Sequence, residues 1–199
     1  MLRVALTGGI ATGKSYVLGQ LRQHGVPCLD ADALARDATA PGTELARAIA
    51  ERFGRGVIAA DGAVVRHKLG SLVFADEQAR RDLEALVHPV VYRAIAAGLR
   101  TLELAGDTPL AVVDVPLLYE SGHEADFDRV IVTACPVETQ ITRLVERGLS
   151  EQEARRRIEA QLPTADKTAR ADFVIRTDGS LADTDRQVRE ILENLKVGG

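Results

Sequence analysis

Along this chain the apolar residues are distributed in two distinct ways. Short aliphatic and β-branched runs at 3–7, 27–30, 110–115, 129–133 and 173–176 read as strands. Between them, residues 14–24, 32–38, 43–53, 76–104, 137–146, 151–161 and 181–195 repeat their apolar positions with a helical period. Strands alternating with helices predict an α/β fold, a parallel sheet covered on both faces. The runs at 4–7 (VALT) and 111–115 (AVVDV) lack polar alternation, as strands buried on both sides require. Roughly 80 residues separate the second strand from the third, far more than a simple crossover needs. The stretch 43–105 therefore reads as a helical insertion standing over one end of the sheet. A second helical stretch, 143–170, is rich in arginine and follows the fourth strand. No low-complexity tract or linker divides the chain.

Composition narrows the function classes. The 199 residues are 46% hydrophobic and 27% charged, which suits one globular unit with a full core. Twenty-five basic against 29 acidic residues leave a net charge of −4. A protein that coats itself on nucleic acid is normally basic, so an anion bound here belongs in a local pocket. Aromatic residues make up only 4% of the chain, with no Trp, which argues against a base-stacking surface. No apolar stretch is long enough for a membrane span, and the N-terminal apolar run breaks at Gly8-Gly9. The expectation is a soluble, cytoplasmic protein without nucleic-acid or membrane partners. Cys28 and Cys135 lie in apolar segments and read as small core residues of a reducing compartment. The four histidines are scattered singly, and no metal-ligand spacing occurs.

The chemistry starts at residues 8–15. Gly8-Gly9-Ile10-Ala11-Thr12-Gly13-Lys14-Ser15 matches G-x-x-x-x-G-K-[ST], follows an apolar strand and opens a helix. In such a P-loop the glycines allow backbone N–H groups to turn toward a phosphate at the positive end of the helix. Lys14 then reaches the β and γ oxygens, and the Ser15 hydroxyl is offered to Mg²⁺. The sole asparagine, Asn194, precedes Leu195, so the N-K-x-D signature of a GTPase is absent, and no Gly follows an Asp by three. A small-molecule kinase using ATP fits better. Asp114, ending an apolar strand, reads either as a Mg²⁺ ligand, directly or through water, or as a strand-end carboxylate making local contacts.

On the acceptor side, Asp30-Ala31-Asp32 closes the second strand, with Arg36 one helical turn further on. Strand ends of a doubly wound sheet form the ligand crevice, which places these carboxylates toward the phosphate loop. Asp32 serves either as the carboxylate that orients and deprotonates an acceptor hydroxyl or as the N-cap of the next helix. Arg143 and Arg147, four apart, share a helix face, which is either solvated or turned toward a transferring phosphoryl group. The triplet Arg155–Arg157 reads as solvated surface. His88, preceding Pro89, reads as a positioning residue at a helix boundary.

Further motifs share one order along the chain: Leu6-Thr7-Gly8-Gly9-Ile10, Asp30-Ala31-Asp32, His88-Pro89, Pro116-Leu117-Leu118-Tyr119-Glu120, the segment from Gln140 to Gly148, and Ala171-Asp172-Phe173-Val174-Ile175. Together they resemble the dephospho-coenzyme A kinases over essentially the whole length. Ala11 stands where that family often has Gly. The resemblance implies a P-loop kinase core (1–42, 106–142, 171–199) with a five-stranded parallel sheet, a helical coenzyme-binding insertion (43–105) and a helical lid (143–170). It implies transfer of phosphate from ATP, with Mg²⁺, to the ribose 3′-hydroxyl of dephospho-CoA. Asp32, Lys14 and Arg147 are then the catalytic candidates. Gly9, Ile10, Ala11, Thr12, Gly13, Lys14, Ser15, Tyr16, Arg143 and Arg147 are the ATP-binding candidates. Thr7, Asp32, Arg36, His88, Leu117, Leu118 and Glu120 are the substrate candidates, and Ser15 and Asp114 those for metal. The alternatives are another small-molecule kinase, such as one for nucleoside monophosphates, and a binding module that uses ATP without phosphoryl transfer.

Overall fold

The computed structural model describes residues 1–106 and 108–197. The strands are β1 (Leu2–Gly8), β2 (Cys28–Asp30), β3 (Leu110–Asp114), β4 (Arg129–Ala134) and β5 (Phe173–Arg176). They form one sheet in the order β2-β3-β1-β4-β5. β1 lies at its centre, parallel to β3 on one side and to β4 on the other, and β5 runs parallel to β4. All five residues of β3 are buried, and so are residues 4–8 of β1. That explains their unbroken apolar runs: with both faces covered there is no solvent side to mark.

The contacts divide the chain into two compact units, residues 1–29 with 101–199, and residues 30–100. In the first, α1 (Lys14–Gln23) and α9 (Leu181–Val197) lie against one face of the sheet. Val17, Leu18 and Leu21 of α1 meet Val188, Ile191, Leu192 and Leu195 of α9 over Val4, Leu6, Val112, Ile131 and Ile175. The one- and four-residue spacings within each helix make the stripe that such a face needs. α6 (Val137–Glu146), α7 (Glu151–Glu159) and α8 (Thr164–Ala169) connect β4 to β5. Ser150 and Glu153 form a reciprocal capping box that starts α7.

The second unit contains α2 (Ala31–Ala38), α3 (Glu44–Phe53), α4 (Arg66–Ala75) and most of α5 (Glu77–Ala105). Its core gathers Leu45 and Ile49 of α3, Val57, and Leu69 of α4, with Leu83, Leu86, Val87 and Val90 of α5 packed on them. Two sequence expectations change here. α5 runs through Pro89 without a break, so His88 does not mark a helix boundary. The lost backbone donor costs one hydrogen bond, while Val87, Val90 and Val91 on either side are held in the core or buried. α4 and the short α8 are additional helices. Residues 66–75 carry Gly70 at their middle and a weak apolar stripe, and the only apolar residues of 164–169 are Ala165 and Ala169, so neither shows a helical period.

Candidate functional site

The loop between β1 and α1 is shaped by its peptide carbonyls. The Gly9 carbonyl accepts the Thr12 hydroxyl at 2.7 Å. The Ile10 carbonyl accepts Gln140 Nε2 at 2.6 Å, and the Ala11 carbonyl accepts Arg143 Nη1 at 3.0 Å. The Thr12 carbonyl accepts the Thr177 hydroxyl at 2.8 Å. Four consecutive carbonyls are thus each bound by a side chain, which pins the peptide planes of the turn. Because the Thr12 proton is committed to Gly9, the Thr133 hydroxyl of β4 donates to Thr12 at 2.8 Å. With the Ile10 and Thr12 N–H groups bonded within the fold, carbonyls held in this way leave the loop's other amide protons as the groups that a phosphate meets at the start of α1.

Three glycines are required by that shape, and at Gly8 a Cβ would lie 2.7 Å from Thr12 Oγ1 and 2.8 Å from the Thr133 carbonyl oxygen. At Gly9 a Cβ would lie 2.9 Å from both Gln140 Nε2 and Thr164 Oγ1. Gly13 caps α1 at φ +84°, in the left-handed region, with Thr177 3.1 Å from where its Cβ would stand. Ala11 is also left-handed, at φ +59°. This costs an L-residue about 1 kcal/mol and is offset by its carbonyl bond and its buried methyl group. A cavity of about 690 Å³ adjoins the loop, with Gly9, Val137, Gln140, Gln161 and Thr164 on its walls. That is within the range of small-molecule sites.

At the mouth of the loop Lys14 forms an ion pair with Asp114, the buried last residue of β3. Ser15 is exposed on the first turn of α1. A hydroxyl and a carboxylate, both hard oxygen donors, fit Mg²⁺, which keeps waters and phosphate oxygens for the rest of its shell. Among the described residues no three acidic, His or Cys side chains gather into a cage. A cation shared with a bound triphosphate needs none.

Residues 2–183 match the family model for dephospho-CoA kinase. The chain belongs to the dephospho-CoA kinase family. It is 44% identical to the dephospho-CoA kinase of Geobacillus kaustophilus over 193 residues, 96% of each protein. It is 47% identical to that of Anaeromyxobacter dehalogenans over 196 residues, 98% of this chain and 92% of the relative. Among solved structures it resembles TT1252 from Thermus thermophilus, with TM-score 0.83 and 35% identity, covering 98% of this chain and 97% of that one.

In this member of the dephospho-CoA kinase family the loop candidates Gly9 to Ser15 form the turn between β1 and α1 and the first turn of that helix, and several neighbouring candidates make contacts within the fold. The Tyr16 hydroxyl donates to Asp185 of α9 at 2.7 Å, and this bond to a carboxylate raises the phenol's pKa. Tyr16 therefore ties α1 to α9 through its hydroxyl. Arg143, an ATP-binding candidate, donates from Nη1 to the Ala11 carbonyl and the Thr177 hydroxyl, at 3.0 and 3.2 Å. Arg147 ends α6 and is exposed. The Thr7 hydroxyl, buried in β1, donates to the Pro116 carbonyl at 3.2 Å and holds the start of the segment after β3.

Within that segment the two leucines differ. Leu117 is 46% exposed, whereas Leu118 is fully buried and offers no side chain to a substrate. Its burial completes the core beneath the turn, and its carbonyl accepts the Ser121 hydroxyl. Glu120 is likewise engaged internally: its Oε1 accepts the Leu162 N–H at 3.0 Å and lies 2.7 Å from Lys167 Nζ. In the second unit Asp30, not Asp32, caps α2, accepting the Ala33 N–H at 2.9 Å. That leaves the exposed Asp32 carboxylate, on the first turn, without the capping role. Arg36 is exposed in the last turn of the same helix. His88 lies edge-on to Tyr92 within α5, ring centroids 6.2 Å apart.

Sequence reasoning missed Gln140, Gln161 and Thr177 as partners of the loop. Gln140 left a trace, being the polar member of the buried stripe Gln140, Ile141, Leu144 on α6. A glutamine at a core position implies a specific partner. Gln161 and Thr177 sit outside any helix or strand and left none.

Proposed function

We propose that the chain carries out the reaction its family is named for: ATP-dependent phosphorylation of dephospho-CoA at the ribose 3′-hydroxyl, giving coenzyme A and ADP. The observation that carries this reading is the carbonyl-bound loop at the head of β1, built for a triphosphate in a chain that matches the family along its length.

Lys14 leaves Asp114 for the β and γ oxygens when the triphosphate enters, since phosphate offers it more negative charge than one carboxylate. Asp32 orients the 3′-hydroxyl and takes its proton as the hydroxyl oxygen attacks the γ phosphorus. The bond to the β–γ bridging oxygen breaks in line, and ADP leaves with its electrons. Arg147, at the exposed end of α6, supplies positive charge to the transferring group. Ser15 and Asp114 would hold Mg²⁺, which when bound neutralises triphosphate charge. The substrate partner is a small molecule, and Leu117 and Arg36 offer exposed surface for it. Among the described residues no helix is long and apolar enough to cross a membrane, and we place the reaction in the cytoplasm.

The test is mass-spectrometric detection of coenzyme A after incubation with ATP, Mg²⁺ and dephospho-CoA. ADP release with nucleoside monophosphates but not with dephospho-CoA would transfer the reading to another kinase. Slow hydrolysis with no phosphorylated product would leave only a nucleotide-binding module.

A further inference from the structure

Ile10 is held on both sides of its α-carbon by glutamines distant in sequence. Its N–H donates to Gln161 Oε1 at 2.7 Å, and its carbonyl accepts Gln140 Nε2 at 2.6 Å. The bonding fixes both amide orientations, because only the oxygen of one and the nitrogen of the other can serve. The Ile10 side chain packs on Ala11, Ile141, Leu144 and Ala154, so side chain and backbone are held by the same stretch between β4 and β5. Gln161 lies between α7 and α8. Its neighbour Leu162 is fastened through its N–H to Glu120, which also pairs with the buried Lys167. The segment that presents Gln161 is thus anchored to the turn after β3 on one side and to the phosphate loop on the other.

We propose that Gln161 is a positioning residue for the phosphotransfer, setting the shape of the phosphate loop through Ile10 with Gln140 as its partner. This rests on the kinase reading above. Neither glutamine needs to touch ATP. A loop with both polar groups of Ile10 bound samples fewer conformers, and apparent affinity falls in proportion to the fraction that is not competent to bind. ATP affinity therefore depends on a residue of the arginine-rich connection, linking that segment's position to the cradle.

The test uses Gln161→Ala, Gln140→Ala and the double variant, with ATP binding measured directly by calorimetry and both KM values measured in turnover. Gln161→Ala is expected to raise the ATP Kd and KM about three- to tenfold, the net worth of one hydrogen bond. The KM for dephospho-CoA stays within about twofold, since Ile10 serves the nucleotide side. In the double variant the losses fall short of additive, because a loop released at one bond has less to lose at the other. An unchanged ATP Kd overturns the proposal. So does an equal rise in both KM values, or full additivity. Should Gln161→Ala not fold, Gln161→Asn, whose amide stops one methylene short of Ile10, carries the same expectations. A wild-type protein that makes no coenzyme A would defeat the kinase reading, while the calorimetric arm still decides on Gln161.

Discussion

Removing the Glu120 carboxylate tests the anchoring of the α7–α8 segment most sharply. Lys167 is fully buried, and among the described residues its Nζ has no well-aligned hydrogen-bond acceptor. The Glu120 carboxylate at 2.7 Å is therefore a compensation of charge rather than a directed bond, while the same oxygen also accepts the Leu162 N–H. Glu120→Ala leaves an ammonium in a dry site, an error that costs about 3–5 kcal/mol. For a chain of this length that lowers Tm by about 6–20 °C. The reverse cut is gentler. Glu120 keeps 23% of its side-chain surface in solvent, so in Lys167→Met its charge is hydrated and the loss is about 1 kcal/mol. Glu120→Gln with Lys167→Met retains an acceptor for Leu162 and buries no charge, so it recovers most of what Glu120→Ala loses. Urea unfolding of the four proteins gives the comparison. If Glu120→Ala cost less than about 1 kcal/mol, or if the double replacement were no better than Glu120→Ala, the buried-charge argument would be wrong.

Other perturbations act at the loop and its surroundings. Lys14→Ala should lower coenzyme A formation by about 10²–10³-fold with an unchanged circular dichroism spectrum, and retained turnover would remove Lys14 from the transfer step. Asp32→Asn should depress kcat by about 10²–10⁴-fold while ATP binding holds, and an unchanged kcat would remove the assignment of Asp32 as base. Ala11→Gly relieves the left-handed strain at φ +59° but gives up a buried methyl and adds chain entropy. One gain of about 1 kcal/mol stands against two losses of about 0.8 and about 0.5–1 kcal/mol, so a net loss below about 1 kcal/mol is expected, and a loss above about 2 kcal/mol would contradict this. Burial pushes the Cys28 thiol up to about 11. Its folded form thus favours the neutral thiol, so alkylation stays slow near pH 8 and quickens about tenfold per pH unit until about 11. By linkage, the stability this thiol contributes is intact below the unfolded-chain thiol range, about pH 8.5, and fades as pH rises toward 11. Rapid labelling of Cys28 in folded protein at pH 7 would refute it.

Local chemistry made much of the molecule legible from one dimension. The strand runs VALT and AVVDV announce burial on both faces through the absence of alternation, and the glycines with Lys14 and Ser15 announce a phosphate loop through spacing alone. These features are short-range, because each depends on residues within one turn or one strand. What the tertiary structure decided is which side chains are occupied. Arg143 reads in sequence like any arginine near a phosphate site, and only its proximity to the Ala11 carbonyl and Thr177 makes it a brace. Glu120 looks available until Lys167 and Leu162 N–H arrive from 40-odd residues away, and the cap that the sequence offered to Asp32 is taken by Asp30. Gln140 and Gln161 meet at Ile10 across separations of 130 and 151 residues. A hydrogen bond is a matter of a few tenths of an ångström and of direction. Residue type fixes what a side chain is able to donate or accept, but the partner is chosen only when packing brings distant segments into place.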